Sequence, residues 1–337
     1  MRKTFGLVLI LFTLIFIFRV TQIGGLDKKY QDPETESIAK YLLPFRLKLA
    51  NTISEILPQP QAPLLSGILL GEKSDLPGYF NNNLRKTSTI HIVVVSGQNL
   101  TLVSGFIMSL ASILGRRKTL ALSLLASLFY AVLTGLQVPV IRAALMVGFS
   151  SIAQFFGREK ESPWILILTG LLMLIYNPNW LLSISFQLSI LATVGVVIVA
   201  PELENRINFL PDIIKQDLIV SFCAQALTWP IIAANFHQFS LIGLLVNVLV
   251  LWTVSFIMMG GIVALSFGLI SLTLGKIFGL FSGVLLTYFI YIVNFFGSLS
   301  FANIYFPKTS ILVWIGYYLI VLALFLALKQ ESKKAYS

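Results

Sequence analysis

Residues 91–101 read HIVVVSGQNLT and open an apolar run that lasts to Leu114. The stretch carries a histidine, two amide side chains, two hydroxyls and a glycine within sequence otherwise suited to a membrane interior. A polar group is costly in hydrocarbon unless it finds a partner. The stretch is therefore either a packing element inside a helical bundle or part of the lining of a hydrated path.

The composition excludes a soluble domain. Hydrophobic residues make up 57% of the 337 residues and charged residues only 11%, whereas soluble domains carry about a quarter charged residues. We predict an all-α polytopic integral membrane protein with about ten transmembrane helices and an N-terminal interfacial amphipathic helix. One cysteine and two histidines are too few for a metal centre, so neither a metal nor another cofactor is predicted.

The apolar runs divide the chain into four segments. After the first run, a helix start at Asp32-Pro33-Glu34 and apolar residues spaced by three and four up to Ile56 predict an amphipathic helix on the membrane. The apolar patch that begins at Leu64 is too short to span, so it is placed at the interface. The predicted segments are an N-terminal anchor helix (1–23), an extracytoplasmic amphipathic and interfacial segment (24–88), a transmembrane domain (89–328) and a basic cytoplasmic tail (329–337).

Basic loop residues predict the topology, because they favour the cytoplasmic side. The basic residues fit a multi-pass protein of the cell membrane with both termini in the cytoplasm, provided that residues 240–274 cross the membrane once. Two crossings, packed at Gly260-Gly261, are the alternative. Much of the net charge of +10 is then a topology signal rather than a nucleic-acid patch.

Acidic residues are missing from most of the apolar sequence. No Asp or Glu lies between Asp75 and Glu159, or between Asp217 and Glu331. Proton- and sodium-coupled carriers commonly bind their ions with membrane carboxylates, so such a carrier is disfavoured. A path for a polyanion is favoured, because buried carboxylates would repel it.

Polar residues on several predicted helices fall in the outer half of the bilayer, where we predict a hydrated vestibule. Arg142 is the only Arg or Lys well inside the main bundle, and it needs carbonyls, water or an anion. Alternatively, the amide side chains form hydrogen bonds between helices. Small residues spaced at i, i+4 predict close helix packing. The predicted path residues are His91, Ser96, Asn99, Arg142, Gln187, Gln225 and Asn247; the predicted packing residues are Gly97, Thr101, Gly105, Gly275, Gly279 and Gly283.

Several motifs resemble one known family. His91-Ile-Val-Val-Val-Ser-Gly-Gln-Asn resembles the His-x-x-x-x-Ser-Gly-x-His/Asn signature of the ComEC-type competence family, whose members form the inner-membrane channel for transforming DNA. Leu69-Leu-Gly-Glu-Lys is similar to its Leu-x-x-Gly-Asp-Arg segment, and Val140-Ile-Arg-Ala-Ala-Leu-Met to its Val-Arg-Ala-x-x-Met helix. Asn177-Pro followed by Ser185-Phe-Gln-Leu-Ser is similar to its Asn/Asp-Pro…Gly-Phe-Gln-Leu-Ser block. These matches occur in the same order as in the family.

The resemblance implies a channel subunit that passes single-stranded DNA into the cytoplasm during natural transformation. Implied partners are the DNA strand, a cytoplasmic translocase or ATPase, a separate DNA receptor and nuclease, membrane lipids and further copies of the chain. Family members carry an extracellular OB-like domain, for which residues 24–63 are too short. Two histidines cannot supply the metal cluster of the family's metallo-β-lactamase-like domain, so no enzymatic activity is expected.

Two other functions stay open at this point. A small-solute or lipid-precursor permease could use the same transmembrane core. An intramembrane hydrolase built on Ser96 is disfavoured, because Ser96 lacks the Gly-x-Ser-x-Gly surroundings of a nucleophile elbow.

The topology can be tested with a reporter. A reporter fused after Lys334 is expected to be active only where it folds in the cytoplasm. Activity on the outer side instead would require residues 240–274 to cross twice.

Overall fold

The computed structural model describes residues 2–27, 36–72, 76–94, 96–157, 161–204, 206–207, 211–305 and 310–335, and these are mostly helical. One antiparallel strand pair, β1 Gln238–Ser240 and β2 Asn303–Tyr305, joins two loops. A 3-10 turn at Pro178–Leu182 precedes α11, and a π-helical turn at Gly195–Val199 joins α11 to α12. The helices are α1 Arg2–Gln22, α2 Glu36–Ile56, α3 Gln61–Leu70, α4 Gly78–Lys86, α5 Ile90–Val93, α6 Gly97–Ser109, α7 Ala111–Leu114, α8 Arg116–Leu133, α9 Val138–Phe155, α10 Ser162–Tyr176, α11 Ile184–Val194, α12 Ala200–Glu204, α13 Asp212–Phe236, α14 Gly243–Gly268, α15 Leu272–Gly297 and α16 Ile311–Ala335.

Long apolar helices make this a membrane protein. Within the described ranges, six are long and apolar enough to cross a bilayer by length and composition. The total of about ten crossings and the sides of the termini stay predictions. The six lie at Val138–Phe155, Ile184–Glu204, Lys215–Phe236, Gly243–Gly268, Leu272–Gly297 and Leu312–Gln330.

Contacts between loops and helix ends show which ends lie together. Arg19, in the last turn of α1, donates from Nε to the Ile175 carbonyl at the end of α10 at 3.1 Å. Arg206, beyond α12, donates to the Leu328 carbonyl near the end of α16. The β1–β2 pairing joins the loop before α14 to the loop after α15. These contacts place the ends of α1 and α10 side by side, and likewise the end of α16 and the residues after α12.

The largest core cluster lies where α2 and α3 pack against α14 and α15. Glycines allow the close approach: a Cβ at Gly261 would lie 2.6 Å from Leu65 Cδ1, and one at Gly279 would lie 2.6 Å from Ile56 Cγ2. Ile53, Leu64 and other aliphatic side chains of α2 and α3 are almost completely buried in this cluster. The α2–α3 pair is therefore an integral part of the bundle.

This packing differs from the interfacial position predicted for the apolar patch near Leu64. Residues 62–70 of α3 are all buried. The sequence of α3, QAPLLSGILL, has no charged face, and a helix that is apolar all round packs inside a protein. The helix start predicted at Asp32–Glu34 lies outside the described residues.

The apolar run from His91 to Leu114, which we expect from hydropathy to be one membrane span, is not one continuous helix. Val94 and Ser96 have extended backbone dihedrals, so α5 ends at Val93 and α6 begins at Gly97. Apolar side chains continue through the break, which is why hydropathy alone gave one helix. By contrast, α14 runs unbroken past Gly260 and Gly261, in agreement with a single crossing there.

A proline in α13 explains the attachment of α16. Pro230 has no N–H, so the Ala226 carbonyl four residues earlier lacks its usual helical donor. The Tyr317 hydroxyl of α16 donates to that carbonyl at 2.9 Å, and the Tyr318 hydroxyl donates to the Leu227 carbonyl at 2.9 Å. Two tyrosines therefore hold α16 against α13 at the proline.

We expect Tyr317→Phe to lower the free energy of unfolding in detergent by about 0.6–2 kcal/mol, because the Ala226 carbonyl loses its donor. In a Pro230→Ala background the carbonyl regains a helical N–H, so the same change should cost much less. Tyr318→Phe is the control. The Leu227 carbonyl has the Ile231 N–H as its helical donor whether residue 230 is proline or alanine, so the cost of Tyr318→Phe should be the same in both backgrounds. An equal cost of Tyr317→Phe in both backgrounds would contradict this explanation. Denaturant titration of the four-member mutant cycle provides the measurement.

Candidate anion site at a junction of helix ends

Four helix ends meet inside the bundle and form what we call the helix-end junction. They are the C-terminal ends of α3 and α8 and the N-terminal ends of α6 and α9. Helix ends leave backbone groups without intrahelical partners, and inside a bundle these groups need side chains or water. The residues of the junction are Arg46, Ile68, Leu70, Gly97, Asn99, Tyr130, Gly135 and Arg142.

Side chains supply donors for the carbonyls at the end of α3. Asn99 Nδ2 donates to the Ile68 carbonyl at 2.9 Å, and the Tyr130 hydroxyl donates to the same oxygen at 3.4 Å. Arg46 Nη2 donates to the Leu70 carbonyl at 3.2 Å. The negative end of α3 is therefore covered by an amide, a phenol and a guanidinium.

Arg142 contacts α6 at Gly97, whereas the contact of α6 with α3 is made by Asn99. A Cβ at Gly97 would overlap Arg142 Nη2, so only a glycine lets the guanidinium lie against the α6 backbone. Arg142 Nη1 donates to the Ser189 carbonyl of α11 at 2.7 Å. Arg142 Nε and Ser189 Oγ are buried, and neither has a hydrogen-bond partner in the described part of the chain.

The surroundings of Arg142 are electropositive. Gly97 is the first residue of α6, and Arg142 lies near the start of α9, so two helix N-termini carry partial positive charge beside the guanidinium. Neither Ser96 nor Gln137 makes a side-chain cap at these N-termini. Helices α6, α8 and α9 contain no Asp or Glu. Together these groups fit an anion better than a cation or a neutral ligand.

The sequence alone assigned no site role to two charged residues near the junction, Arg46 and Glu72. Arg46 lies at i−3 and i−7 from the buried Leu49 and Ile53 of α2, and this spacing already placed it on the inward face. Glu72, just after α3, accepts a hydrogen bond from Ser66 Oγ at 3.2 Å. One carboxylate is therefore present on the α3 side of the site.

The structure brings only some of the predicted path residues together. Ser96 Oγ donates to Asn99 Oδ1 at 3.2 Å, and Gly97 contacts Arg142, but Asn99 directs its amide donor to α3. The exposed His91 bonds through Nδ1 to the Ser88 carbonyl at 2.8 Å. Gln187 Nε2 donates to the Leu181 carbonyl at 2.9 Å, near its own helix.

Two further predicted path residues lie on α13 and α14. Gln225 Nε2 and Asn247 Oδ1 are buried and have no hydrogen-bond partner among the described residues. No hydrogen bond of the described chain joins either one to Arg142. A common vestibule lined by all the predicted residues therefore stays a prediction.

The predicted packing residues divide into two groups. Gly275, Gly279 and Gly283 approach neighbouring backbone or aliphatic side chains, and Gly97 approaches Arg142. Thr101 is exposed, and a Cβ at Gly105 would meet nothing within 4 Å. On the Gly97–Thr101–Gly105 edge, close packing against another described helix is thus seen at Gly97, where a Cβ would also lie 3.1 Å from Ala143 Cβ, and not at Gly105. Asn99 and Ser104 bond to α3 and α8, and these bonds turn the 101–105 edge outward.

Comparison with known proteins identifies the family to which the chain belongs. The model of a family described as competence protein matches residues 68–331. The chain belongs to the competence protein family. It is 26% identical over 248 residues to ComE operon protein 3 of Bacillus subtilis (strain 168), covering 73% of this chain and 31% of that protein.

Two uncharacterized relatives also match. YcaI of Escherichia coli (strain K12) is 26% identical over 228 residues, covering 62% of this chain and 29% of that protein. A protein of Aquifex aeolicus (strain VF5) is 33% identical over 168 residues, covering 49% of this chain and 38% of that protein. The chain thus spans about a third of the length of these curated relatives. No solved structure matches it.

The competence-family match begins at Ile68, within the last turn of α3. It therefore includes the junction except Arg46, which α2 supplies from outside the matched region.

Asn99→Leu tests the role of the amide at the junction. The substitution removes the closer donor from the Ile68 carbonyl, so we expect the free energy of unfolding in detergent to fall by about 0.6–2 kcal/mol. Gln98→Leu changes the same kind of side chain at an exposed position of the same helix and should not lower it. Equal losses in the two variants would show that the bond to Ile68 contributes nothing measurable.

Proposed function

We propose that this chain forms the membrane core of a channel that passes single-stranded DNA into the cytoplasm during natural transformation. Membership of the competence protein family supports a role in DNA uptake. The electropositive junction supports the more specific proposal that the chain contacts the phosphates of a DNA strand. In this proposal, backbone phosphates of the strand pass the junction and contact Arg142.

The position of Arg142 carries the proposal. Its guanidinium lies against the positive end of α6, and its remaining charge has no carboxylate on α6, α8 or α9. Such a grouping of like charge is unfavourable until an anion or water reaches it. A phosphate oxygen would relieve the repulsion and accept hydrogen bonds from the guanidinium.

The contact with Ser189 gives Arg142 a resting position. The Ser189 carbonyl accepts from Arg142 Nη1 at 2.7 Å and from Thr193 Oγ1 at 2.8 Å, so it keeps a donor when Arg142 turns away. A guanidinium can thus exchange one backbone acceptor for a phosphate without leaving that acceptor unpaired. Contacts of this kind are made to phosphates and are independent of base sequence.

The proposal assigns other tasks to partners. Transport of a strand requires a driving force, for which we propose a cytoplasmic translocase or ATPase. Capture of DNA at the cell surface and degradation of the second strand are assigned to a separate receptor and a separate nuclease. Association with further copies of the chain and with membrane lipids is part of the same proposal.

Arg142→Gln is expected to reduce DNA uptake at least tenfold, because the guanidinium charge at the junction is lost. DNA bound at the cell surface should stay unchanged. Arg142→Lys should retain part of the uptake, since the charge stays but the forked geometry does not. Uptake is measured as internalised labelled DNA in strains with equal amounts of inserted protein.

Arg19→Gln is the matched control. Arg19 also donates to backbone carbonyls, of Ile175 and Tyr176, but it lies on α1 outside the family-matched region. Uptake should therefore persist in this variant. Wild-type uptake in Arg142→Gln, or an equal loss in both variants, would overturn the role of Arg142. Uptake of a small anion into proteoliposomes without any DNA phenotype in a deletion strain would favour a permease instead.

A further inference from the structure

Helix α8 buries a row of hydroxyl side chains and exposes large apolar ones. These hydroxyl residues, together with Thr134 directly after the helix, form a hydroxyl stripe, defined as Thr119, Ser123, Ser127, Tyr130 and Thr134, and each is at most 6% exposed. Leu125 and Phe129 on the opposite face are 65% and 54% exposed. This is the reverse of a helix in a soluble protein and is the pattern of a membrane helix that faces a polar interior.

The stripe faces α6 along a seam. Ser104 Oγ of α6 lies 2.7 Å from Ser123 Oγ of α8, and this hydroxyl pair joins the two helices. Thr119 and Thr134 bond to carbonyls of their own helix turn, Gly115 and Tyr130. We call the contact between α6 and the hydroxyl stripe the α6–α8 seam. Hydroxyl groups line the seam beside a small apolar cluster that includes Leu100 of α6 and Ala131 of α8.

The seam has cationic groups at both ends. At one end, the Tyr130 hydroxyl donates to the Ile68 carbonyl and so reaches the helix-end junction that holds Arg142. At the other end, the exposed basic residues Arg116–Lys118 immediately precede Thr119. At 1.5 Å per residue the stripe spans about 22 Å, which is most of the hydrocarbon thickness of a bilayer. No acidic residue lies on either helix.

The hydroxyl group of Ser127, in the middle of the stripe, lacks a hydrogen-bond partner in the described part of the chain. The Ser127 side chain is fully buried. A buried hydroxyl without a partner destabilises the arrangement that buries it, whereas alanine at the same position would not. The hydroxyl would gain partners if the seam parted and water or a phosphate entered.

The α14–α15 contact is built differently. Its buried side chains are mainly aliphatic or aromatic, and Gly261 and Gly279 bring α14 and α15 against α3 and α2 in close packing. Such apolar contacts resist separation, since parting them would expose interlocked surfaces to water. The larger apolar core therefore lies on the α14–α15 side, whereas the α6–α8 seam combines a smaller apolar cluster with a stripe of buried hydroxyl groups.

We propose that the α6–α8 seam is the part of the bundle that separates to let the strand pass, with the hydroxyl stripe as one wall of the path. This inference rests on the proposed DNA-channel function and adds where the path lies. Phosphates would move from Arg142 along the hydroxyl donors of α8 to Arg116–Lys118. Hydroxyl groups donate to any phosphate, so this wall has no sequence preference.

A reversible crosslink across the seam tests the inference. Ser104→Cys with Ser123→Cys, in a Cys223→Ala background, places two thiols where two hydroxyls already touch. Copper phenanthroline should form the disulfide and reduce DNA uptake at least tenfold, and dithiothreitol should restore it. Crosslinking is scored by the mobility of a protein cleaved between the two cysteines.

A second crosslink provides the control. Asn83 of α4 and Asn294 of α15 form a side-chain hydrogen bond of 2.9 Å away from the seam. Cysteines at these two positions should crosslink without loss of uptake. Unchanged uptake in the oxidised seam variant, or an equal loss in both crosslinked variants, overturns the seam. Absence of DNA uptake by the unmodified chain, by contrast, overturns the channel function itself.

A pair of alanine variants gives an answer that does not depend on crosslinking. Ser127→Ala should raise the melting temperature, because it removes an unsatisfied buried hydroxyl, and should lower uptake at least threefold. Ser221 on α13 is the control, since its Oγ is also buried without a partner within the described ranges but lies away from the seam. Ser221→Ala should raise the melting temperature and leave uptake unchanged. Unchanged uptake in Ser127→Ala would show that the stripe is only structural.

Discussion

The need to satisfy backbone polar groups inside a membrane bundle governs this structure. A helix that ends in hydrocarbon leaves several N–H or C=O groups that water cannot reach. The helix-end junction concentrates this problem, because two C-terminal and two N-terminal ends meet there. The carbonyl end of α3 receives donors from Asn99, Tyr130 and Arg46. The N-terminal ends have no side-chain caps and instead leave a positive site beside Arg142.

The same constraint explains features far from the junction. Pro230 removes one donor from α13, and Tyr317 of α16 replaces it. Arg19 serves the end of α10 in the same way, through the carbonyls of Ile175 and Tyr176. In each case a long side chain from a sequence-distant helix completes a backbone that its own helix leaves incomplete. Contacts between helices in this protein thus include polar pairing as well as apolar packing.

The sequence predicted the class of the protein and several local features correctly. Apolar composition and the positions of the long runs gave a helical membrane protein, and the motifs gave the family. The single long helix at 243–268 also agrees with its sequence pattern. These features follow from local periodicity and side-chain size, which do not require knowledge of neighbours.

The candidate site could be predicted only in part. Arg142 stood out because a cation without a nearby acid is conspicuous in apolar sequence. The buried position of α3, the break at Val94–Ser96 and the role of Arg46 did not stand out, since the apolar pattern continues through all three regions. Their positions depend on contacts between residues that are far apart in the chain.

By itself, then, the sequence determined a polytopic helical membrane protein of the competence family with one conspicuous arginine and almost no acids in its apolar part. The tertiary structure alone decided which helix ends meet, that Asn99 serves α3 rather than Arg142, and that Ser104 of α6 pairs with the hydroxyl stripe of α8. The reason is physical. Hydropathy and periodicity specify which side chains leave water, but the partner of each buried polar group is chosen by where other helices begin and end.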